Sequence, residues 1–259
     1  MVSDLVARLR AAGCVFAEDE ARLLVEAADS AASLETMVAR RVAGEPLEHV
    51  LGFVDFHGLR LEVAPGVFVP RTRTGFLVDT AVSLAGSGPV VLDLCCGCGA
   101  VGAAVAAALP GCELHAADVD PAAVAVAGRN LAPYDGQVVV GDLFDPLPVS
   151  LRGRVTLLVA NTPYVPTDAI ALMPPEARDH EARAALDGGP DGLALLRRIA
   201  AAAPDWLAPG GHLLIEIASS QADAALTAYR AAGLDAWTVS DDDYGATVAI
   251  GRNPAIAAV

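Results

Sequence analysis

The chain contains no lysine. All 17 of its basic residues are arginine, and they face 32 Asp and Glu, for a net charge of −15. Proteins that grip nucleic acid through its backbone need a basic surface to neutralise phosphates, and this composition supplies none. A local basic groove stays open. Long strongly apolar runs are also missing, although 54% of the residues are hydrophobic. The longest uncharged run, Leu94 to Cys112, is broken by Gly97, Gly99, Gly102, Pro110 and Gly111. A membrane-spanning helix needs about 20 strongly apolar residues, so no membrane association is expected. Met1-Val2-Ser3-Asp4 lacks the basic-then-apolar pattern of a secretory leader. Cysteines number five, an odd count, with Cys95, Cys96 and Cys98 crowded together. That is no disulfide framework. No Cys or His pair sits at ligand spacing to complete a metal site, and small apolar thiols suit a tight loop, so packing is expected and a metal is not. A cytoplasmic protein is the expectation.

At 259 residues the chain fits one large domain, or a domain with a smaller appendage, and it is ample for a sizeable core. Two textures divide it. Residues 1 to about 45 read as three short amphipathic helices, with Leu5, Leu9 and Ala12, then Leu23, Leu24 and Ala27, at helical spacing. Ser33 reads as the N-cap of the third helix, which Gly44 and Pro46 stop. From His49 to Pro70 the pattern turns to β alternation, with turn chemistry at Val63-Ala64-Pro65-Gly66. From about residue 76, buried strands at 89–94, 113–117, 137–140, 155–160 and 211–217 alternate with helices, the pattern of a parallel sheet covered on both faces. Pro121 suits the first position of the helix that runs to Asn130. Leu234 to Ser240 and Ala246 to Gly251 have only a turn between them, which predicts an antiparallel hairpin at the sheet edge.

Val90-Val91-Leu92-Asp93-Leu94-Cys95-Cys96-Gly97-Cys98-Gly99 is a strand, an acid and a tight loop opening a helix. Glycines let the main chain approach a ligand, and the helix start offers unpaired N–H groups. In an open α/β sheet this carboxyl-end crevice is the expected ligand site. Asp118 follows Gly97 at about the 20-residue spacing of a ribose-binding acid. Nicotinamide and S-adenosylmethionine enzymes share that feature. Asp93 separates them: an acid there suits the amino-acid end of adenosylmethionine and offers nothing to a pyrophosphate.

Asn161-Thr162-Pro163-Tyr164 follows the buried strand Val155 to Ala160. A planar nitrogen, whether amide or exocyclic aromatic amine, is a poor nucleophile because its lone pair is delocalised. The Asn161 side-chain oxygen and the Thr162 carbonyl can each accept one of its N–H groups and turn the lone pair toward an incoming methyl. Hydrogen bonds to charged groups contribute about 1.5–3 kcal/mol each. Alignment of the reacting atoms can remove up to roughly 7–11 kcal/mol of barrier. Tyr164 can cover the planar group. The bland alternative is an Asn-Pro turn ending a strand.

With these motifs in place, the sequence resembles the release factor glutamine methyltransferases of the HemK/PrmC type along nearly its whole length. Arg41-Val42-Ala43-Gly44-Glu45-Pro46-Leu47 with Leu51-Gly52 is similar to that family's linker. Val63-Ala64-Pro65-Gly66-Val67-Phe68-Val69-Pro70-Arg71 is similar to the segment that leads into its catalytic unit. Glu181-Ala182-Arg183-Ala184-Ala185-Leu186-Asp187-Gly188-Gly189-Pro190-Asp191-Gly192 resembles a more specific stretch. The resemblance implies an N-terminal helical substrate-recognition domain over 1–47 and a β-hairpin linker over 48–75. It implies a Rossmann-like, seven-stranded class I methyltransferase domain over 76–259. It further implies methyl transfer from S-adenosylmethionine, leaving S-adenosylhomocysteine, to the glutamine of a Gly-Gly-Gln motif in a class I peptide chain release factor. By position, Cys95, Cys96, Gly97, Cys98 and Gly99 would form the cofactor loop and Asp118 the ribose acid. Asp142 and Leu143 would flank the adenine, and Asn161 to Tyr164 would hold the substrate amide, with Asp93 and Asn161 also near the cofactor.

Three positions depart from the family pattern. Thr162 stands where proline is usual, and Cys95 where the loop's first glycine is usual. Thr72, Arg73, Thr74 and Gly75 stand where acidic residues usually follow Pro70-Arg71, which takes away a partner for Arg71. These departures bear on the acceptor. They leave three other readings: a nucleic-acid exocyclic-amine methyltransferase, disfavoured by the charge, a cofactor-binding paralogue with impaired catalysis, and a nicotinamide oxidoreductase, disfavoured by Asp93. His115 reads as a strand residue with no catalytic part.

Overall fold

Apolar residues three and four apart fold the N-terminal segment into helices α1 (Val2–Ala11), α2 (Ala17–Ala27), α3 (Ala31–Val42) and the short α4 (Leu47–Leu51). The computed structural model describes residues 2–254, so Met1 and the last five residues of the expected 76–259 segment lie outside the description. Leu5, Leu9, Ala17, Ala21, Leu24, Val38 and Val50 close a small core among these helices. Ser33 is not the cap of α3. Ser30 is, its Oγ accepting the Ser33 N–H at 3.1 Å. Serines three apart make either one readable as a cap, and only the backbone shows which is extended.

The β alternation is shorter than the sequence pattern. Strands β1 (Phe53–Phe56) and β2 (Leu59–Glu62) pair antiparallel around His57 and Gly58, both left-handed at φ 49° and 79°. Two positive φ values in a two-residue loop match the right-handed twist of a hairpin. His49 belongs to α4, where its buried ring donates Nε2–H to the Val67 carbonyl at 2.8 Å. The turn chemistry expected at Val63 to Gly66 is realised past the hairpin and not within it: Val67 N–H closes a turn on the Ala64 carbonyl at 3.0 Å, with Gly66 at φ 82°.

Helix α5 (Gly75–Ser83) leads into the sheet. Its strands are β3 (Val90–Leu94), β4 (Glu113–Asp118), β5 (Gln137–Val140), β6 (Val155–Ala160), β7 (Leu207–Ile217), β8 (Asp235–Asp241) and β9 (Ala246–Arg252), in the spatial order β5-β4-β3-β6-β7-β9-β8. The first five are parallel. β9 runs antiparallel to both neighbours, so the expected hairpin closes the edge, with the last strand on its inner side. Helices α6 (Ala100–Ala108) and α7 (Pro121–Leu131), with α5, cover one face. α9 (Ala194–Trp206) and α10 (Ala222–Ala231) cover the other. Between them the short α8 (Pro175–His180) lies in the long connection after β6. The chain winds outward from β3 to β5 and then returns to β6. That reversal opens a crevice at the strands' carboxyl ends. No described helix is long and apolar enough to cross a membrane.

Arg41 fastens the helical segment to the rest. Its buried guanidinium donates to Glu20 at 2.6 and 3.2 Å and to the Glu45 carbonyl at 3.1 Å, and pairs with Glu176 of α8 at 2.7 Å. Removing one partner of a buried pair exposes the other to an uncompensated desolvation cost. Glu20→Ala is therefore expected to lower stability in urea denaturation by about 2–3 kcal/mol, less than a fully orphaned charge because Glu176 remains. Glu20→Gln, which keeps an acceptor, is expected to lose less.

Candidate functional site

A cavity of about 290 Å³ opens at the carboxyl ends of β3, β4 and β6. Asp93, Cys95, Cys96, Gly97, Cys98, Asp118, Asp142, Leu143 and Asn161 to Tyr164 all line it. Residues as far apart in sequence as Asp93 and Tyr164 thus converge where the sequence patterns placed them. Gly99 does not reach the cavity wall. It turns the loop into α6 at φ 79°, and a Cβ there would lie 3.1 Å from Leu131 Cγ and 3.2 Å from Ala127 Cβ. Its part is to let the loop press against α7.

The loop is held by its main chain. Gly99 N–H closes a turn on the Cys96 carbonyl at 2.7 Å, and Cys96 N–H reaches the Ala117 carbonyl at 3.2 Å. Asp118 accepts Gly97 N–H at 2.8 Å through one oxygen and Asp120 N–H at 2.9 Å through the other. Burial raises its pKa above the ordinary carboxylate value. Asn130 of α7 donates to the Cys98 carbonyl at 2.8 Å and brackets the Glu62 backbone of β2 with two bonds of 2.9 Å. Cys96 and Cys98 are buried in the core on one face of the sheet and Cys95 packs against the core on the other, with all three thiols shifted upward by burial. Cys95 also sits at φ 55°, a left-handed conformation that costs a side-chain-bearing residue roughly 1–2 kcal/mol. Among the described residues no three His, Cys, Asp or Glu side chains gather to hold a metal.

Asp93 is 1% exposed. One oxygen accepts Gly102 N–H at 2.9 Å, and a Cβ on Gly102 would stand 3.0 Å from that same oxygen, so glycine is what allows the approach. The other oxygen has no hydrogen-bond partner among the described residues. Burial pushes the carboxyl up to about 7, against the pull of Gly102 and with a push from the Asp118 charge. Leu143 is left-handed at φ 51°, and the Asp142 carboxylate is engaged by Arg198 at 2.7 Å. His115 pairs with Glu113 at 3.0 Å and does not line the cavity.

Opposite the loop, Asn161 donates Nδ2–H to Thr74 Oγ1 at 3.3 Å, and Thr74 is buried. That orientation leaves Oδ1 free to accept. The Thr162 carbonyl is likewise without a donor among the described residues. The next residues are clasped from behind. Gln221 donates to the Tyr164 carbonyl at 3.0 Å, and Val165 exchanges bonds with Leu186 and Gly188 at 3.2 and 2.9 Å. Cβ atoms on Gly188 and Gly192 would fall 2.5 Å from the Pro163 oxygen and 2.1 Å from the Tyr164 oxygen. The 187–192 stretch is thus glycine-rich so that it can lie against Asn161 to Tyr164.

Two arginines line the same side. Arg71 keeps a partner after all: Glu181, wholly buried as a side chain, receives it at 2.7 and 2.8 Å and also takes Val69 N–H at 3.2 Å. An acid 110 positions away replaces the neighbour that the sequence lacks. Arg73 donates Nε–H to buried Glu216 at 3.1 Å and an Nη2–H to the Tyr164 hydroxyl. Gly75 has a packing cause, since a Cβ there would meet Tyr244 Cε1 at 3.2 Å and His57 Cδ2 at 3.4 Å. Sequence reasoning assigned no part to Thr74, Asn130, Glu181, Glu216 or Gln221. The one signal available was Glu216, a lone acid inside the buried run Leu213 to Ile217.

The chain matches the family described as Methyltransferase small domain over residues 60–226. A release factor glutamine methyltransferase of Geobacter sulfurreducens is 39% identical over 213 residues, covering 81% of this chain and 74% of that protein. A 4-amino-L-phenylalanine/4-methylamino-L-phenylalanine methyltransferase of Streptomyces pristinaespiralis is 34% identical over 203 residues, 76% of this chain and 69% of that one. In fold, the chain superposes on the crystal structure of a methyltransferase from Pyrococcus furiosus with a TM-score of 0.56, at 17% identity over 76% of this chain and 90% of that one.

Asp93 carries a pH prediction. Its folded pKa of about 7 lies above its ordinary 3.8, so the folded state holds this proton more tightly than the unfolded state. Stability from this group is complete below about pH 4 and is lost as pH rises through about 7. Asp93→Asn removes that loss. In thermal melts of ligand-free protein the variant is expected to match wild type near pH 4 and to exceed it by up to about 4 kcal/mol above pH 7. Equal curves at every pH would contradict the shift.

Proposed function

Because the chain belongs to the release factor glutamine methyltransferase family, we propose that it methylates the side-chain amide nitrogen of a protein glutamine, that of the Gly-Gly-Gln motif of a class I release factor. It is an S-adenosylmethionine-dependent methyltransferase. The observation that carries the glutamine reading is the pair of open acceptors, Asn161 Oδ1 and the Thr162 carbonyl, on consecutive residues that both line the cavity.

The residues present fit the cofactor. The unpartnered oxygen of buried Asp93 answers a ligand ammonium group, and the loop from Cys95 to Cys98 allows close main-chain approach. Asp118 keeps lone pairs for ribose hydroxyls beyond its two loop bonds, and Leu143 offers an apolar surface to the adenine. When bound, the cofactor supplies an electrophilic methyl group on a sulfonium. Everything else falls to the chain. Asn161 and Thr162 accept the two amide N–H groups, which orients the nitrogen lone pair and offsets the positive charge that grows on it. Tyr164 lies against the planar amide. Thr74 keeps the Asn161 side chain from rotating, and Gln221 with Gly188 and Gly192 keeps the tetrapeptide from moving away. The methylated nitrogen becomes strongly acidic, so no dedicated base is needed. Helices α1 to α4 would receive the protein substrate, and the cytoplasm is where it would be met.

Asn161→Ala is expected to lower kcat by about 100-fold, because the lost acceptor matters most as charge develops. Cofactor affinity by calorimetry is expected to change little, and an equal loss in both would demote Asn161 to a structural part. Cofactor affinity itself should strengthen as pH rises through about 7, when Asp93 loses its proton, and Asp93→Asn should flatten that profile. For the substrate, mass spectrometry of a purified release factor after reaction should find one added methyl on the Gly-Gly-Gln glutamine, absent when that glutamine is alanine. An unmodified release factor beside methylated RNA or DNA would overturn the assignment.

A further inference from the structure

We propose that Arg73 is a specificity residue that reads a carboxylate on the acceptor, close to the nitrogen that is methylated. The inference rests on the amide-methylation reading and extends it to the acceptor's charge. Its basis is how this guanidinium is built into the mouth of the cavity. The side chain is 46% exposed and lines the cavity, while the acid behind it, Glu216, is 3% exposed. Glu216 takes only the Nε edge, at 3.1 Å, and the Tyr164 hydroxyl takes Nη2 and itself donates to Glu216 at 3.4 Å. Nη1, with two N–H groups, has no partner among the described residues. The guanidinium carbon stands 5.7 Å from the centre of the Tyr164 ring. An arginine braced on one edge by a buried acid and lying over an aromatic ring has given up its rotamer freedom already. Its remaining donors are then preorganised for an anion.

The position beside the acceptor clamp follows from the neighbours. Arg73 holds Tyr164, and the next residue, Thr74, holds Asn161, so one turn of chain touches both ends of the tetrapeptide. The cofactor side carries the opposite sign, with Asp93 and Asp118 on the loop. Arg71 stands on the Arg73 side, braced in the same manner by buried Glu181. Each of these guanidiniums is charge-compensated by the acid behind it, so what an acceptor meets is the free Nη1 edge of Arg73 rather than a surplus of positive charge. A carboxylate next to the reacting amide would complete that edge with charge-assisted bonds. Two sources share that chemistry: an Asp or Glu beside the target glutamine in a peptide, and the free α-carboxylate of a small amino acid that bears the planar nitrogen.

Binding decides the question independently of turnover. The full chain, loaded with S-adenosylhomocysteine, is titrated with fluorescein-labelled Gly-Gly-Gln peptides that differ only in Asp, Asn or Lys after the glutamine, and with free 4-amino-L-phenylalanine against its methyl ester. Wild type is expected to prefer the Asp peptide over Asn, or the free acid over its ester, by about tenfold or more. Arg73→Gln should erase the preference and Arg73→Glu should reverse it toward Lys. The double variant Arg73→Gln with Glu216→Gln removes both charges together, so a lost preference there cannot come from an orphaned buried acid. A preference only among the peptides, or only for the free amino acid, identifies the source of the carboxylate and supports the role of Arg73. Equal binding of acid and neutral probes by wild type, no measurable binding of any probe, or a preference that survives Arg73→Gln overturns the proposal. So does a tenfold loss of S-adenosylmethionine affinity in Arg73→Gln with acceptor discrimination intact, because the guanidinium would then serve the cofactor's carboxylate. If no peptide is methylated while the Arg73-dependent preference holds, the glutamine reading fails and the role of Arg73 stands.

Discussion

Everything at this site depends on a loop whose shape is imposed by side chains from outside it. Asp118, at the end of the neighbouring strand, holds Gly97 N–H, and Asn130, from α7, holds the Cys98 carbonyl. Three residues of the loop, Cys95, Gly97 and Gly99, are left-handed. Such a conformation is held only where the surroundings over-determine it. Because Asn130 also brackets the backbone of Glu62, the hairpin ahead of the sheet and the loop behind it are one mechanical unit. The cavity is therefore formed in advance, and a ligand entering it need not order the chain.

The electrostatics follow the same division. Acids stand on the loop side of the cavity, and one of them, Asp93, is buried deeply enough to hold its proton near neutrality. Arginines stand on the clamp side, each backed by an acid it covers: Glu181 for Arg71 and Glu216 for Arg73. A buried carboxylate behind an arginine costs desolvation, which the pair recovers only with good geometry. Glu181 meets that condition with three bonds. Glu216 meets it in part, since its second oxygen is buried without a partner among the described residues. That residue is the more finely balanced of the two, at the mouth where the acceptor must enter.

Much of this was legible in the residues. Continuous apolar strands alternating with helices announce a parallel sheet, because a strand buried on both faces has no polar side to alternate. The acid–glycine loop and the Asn161 tetrapeptide stand out because each puts polar, turn-forming residues at the end of such a strand. The tail hairpin was legible too, from two strands with only a turn between them. The errors were local ones. Ser30 and Ser33 are equivalent as text and differ only in backbone conformation. The β pattern ran past the true hairpin because His49 and Val67, both buried, satisfy the same alternation while joined by a side-chain bond.

The sequence by itself determined the strand and helix succession, the loop with its acids, and the acceptor pair, since each of these is a relation among residues close in the chain and set by local periodicity and turn chemistry. The tertiary structure alone decided who holds what. Arg71 finds Glu181 at a separation of 110 residues and Arg73 finds Glu216 at 143, Asn161 is oriented by Thr74 across 87, and Gly75 is small because Tyr244 arrives from the far edge of the sheet. Such partnerships depend on where the folded sheet brings separate segments together. No spacing along the chain encodes a distance between two of its loops.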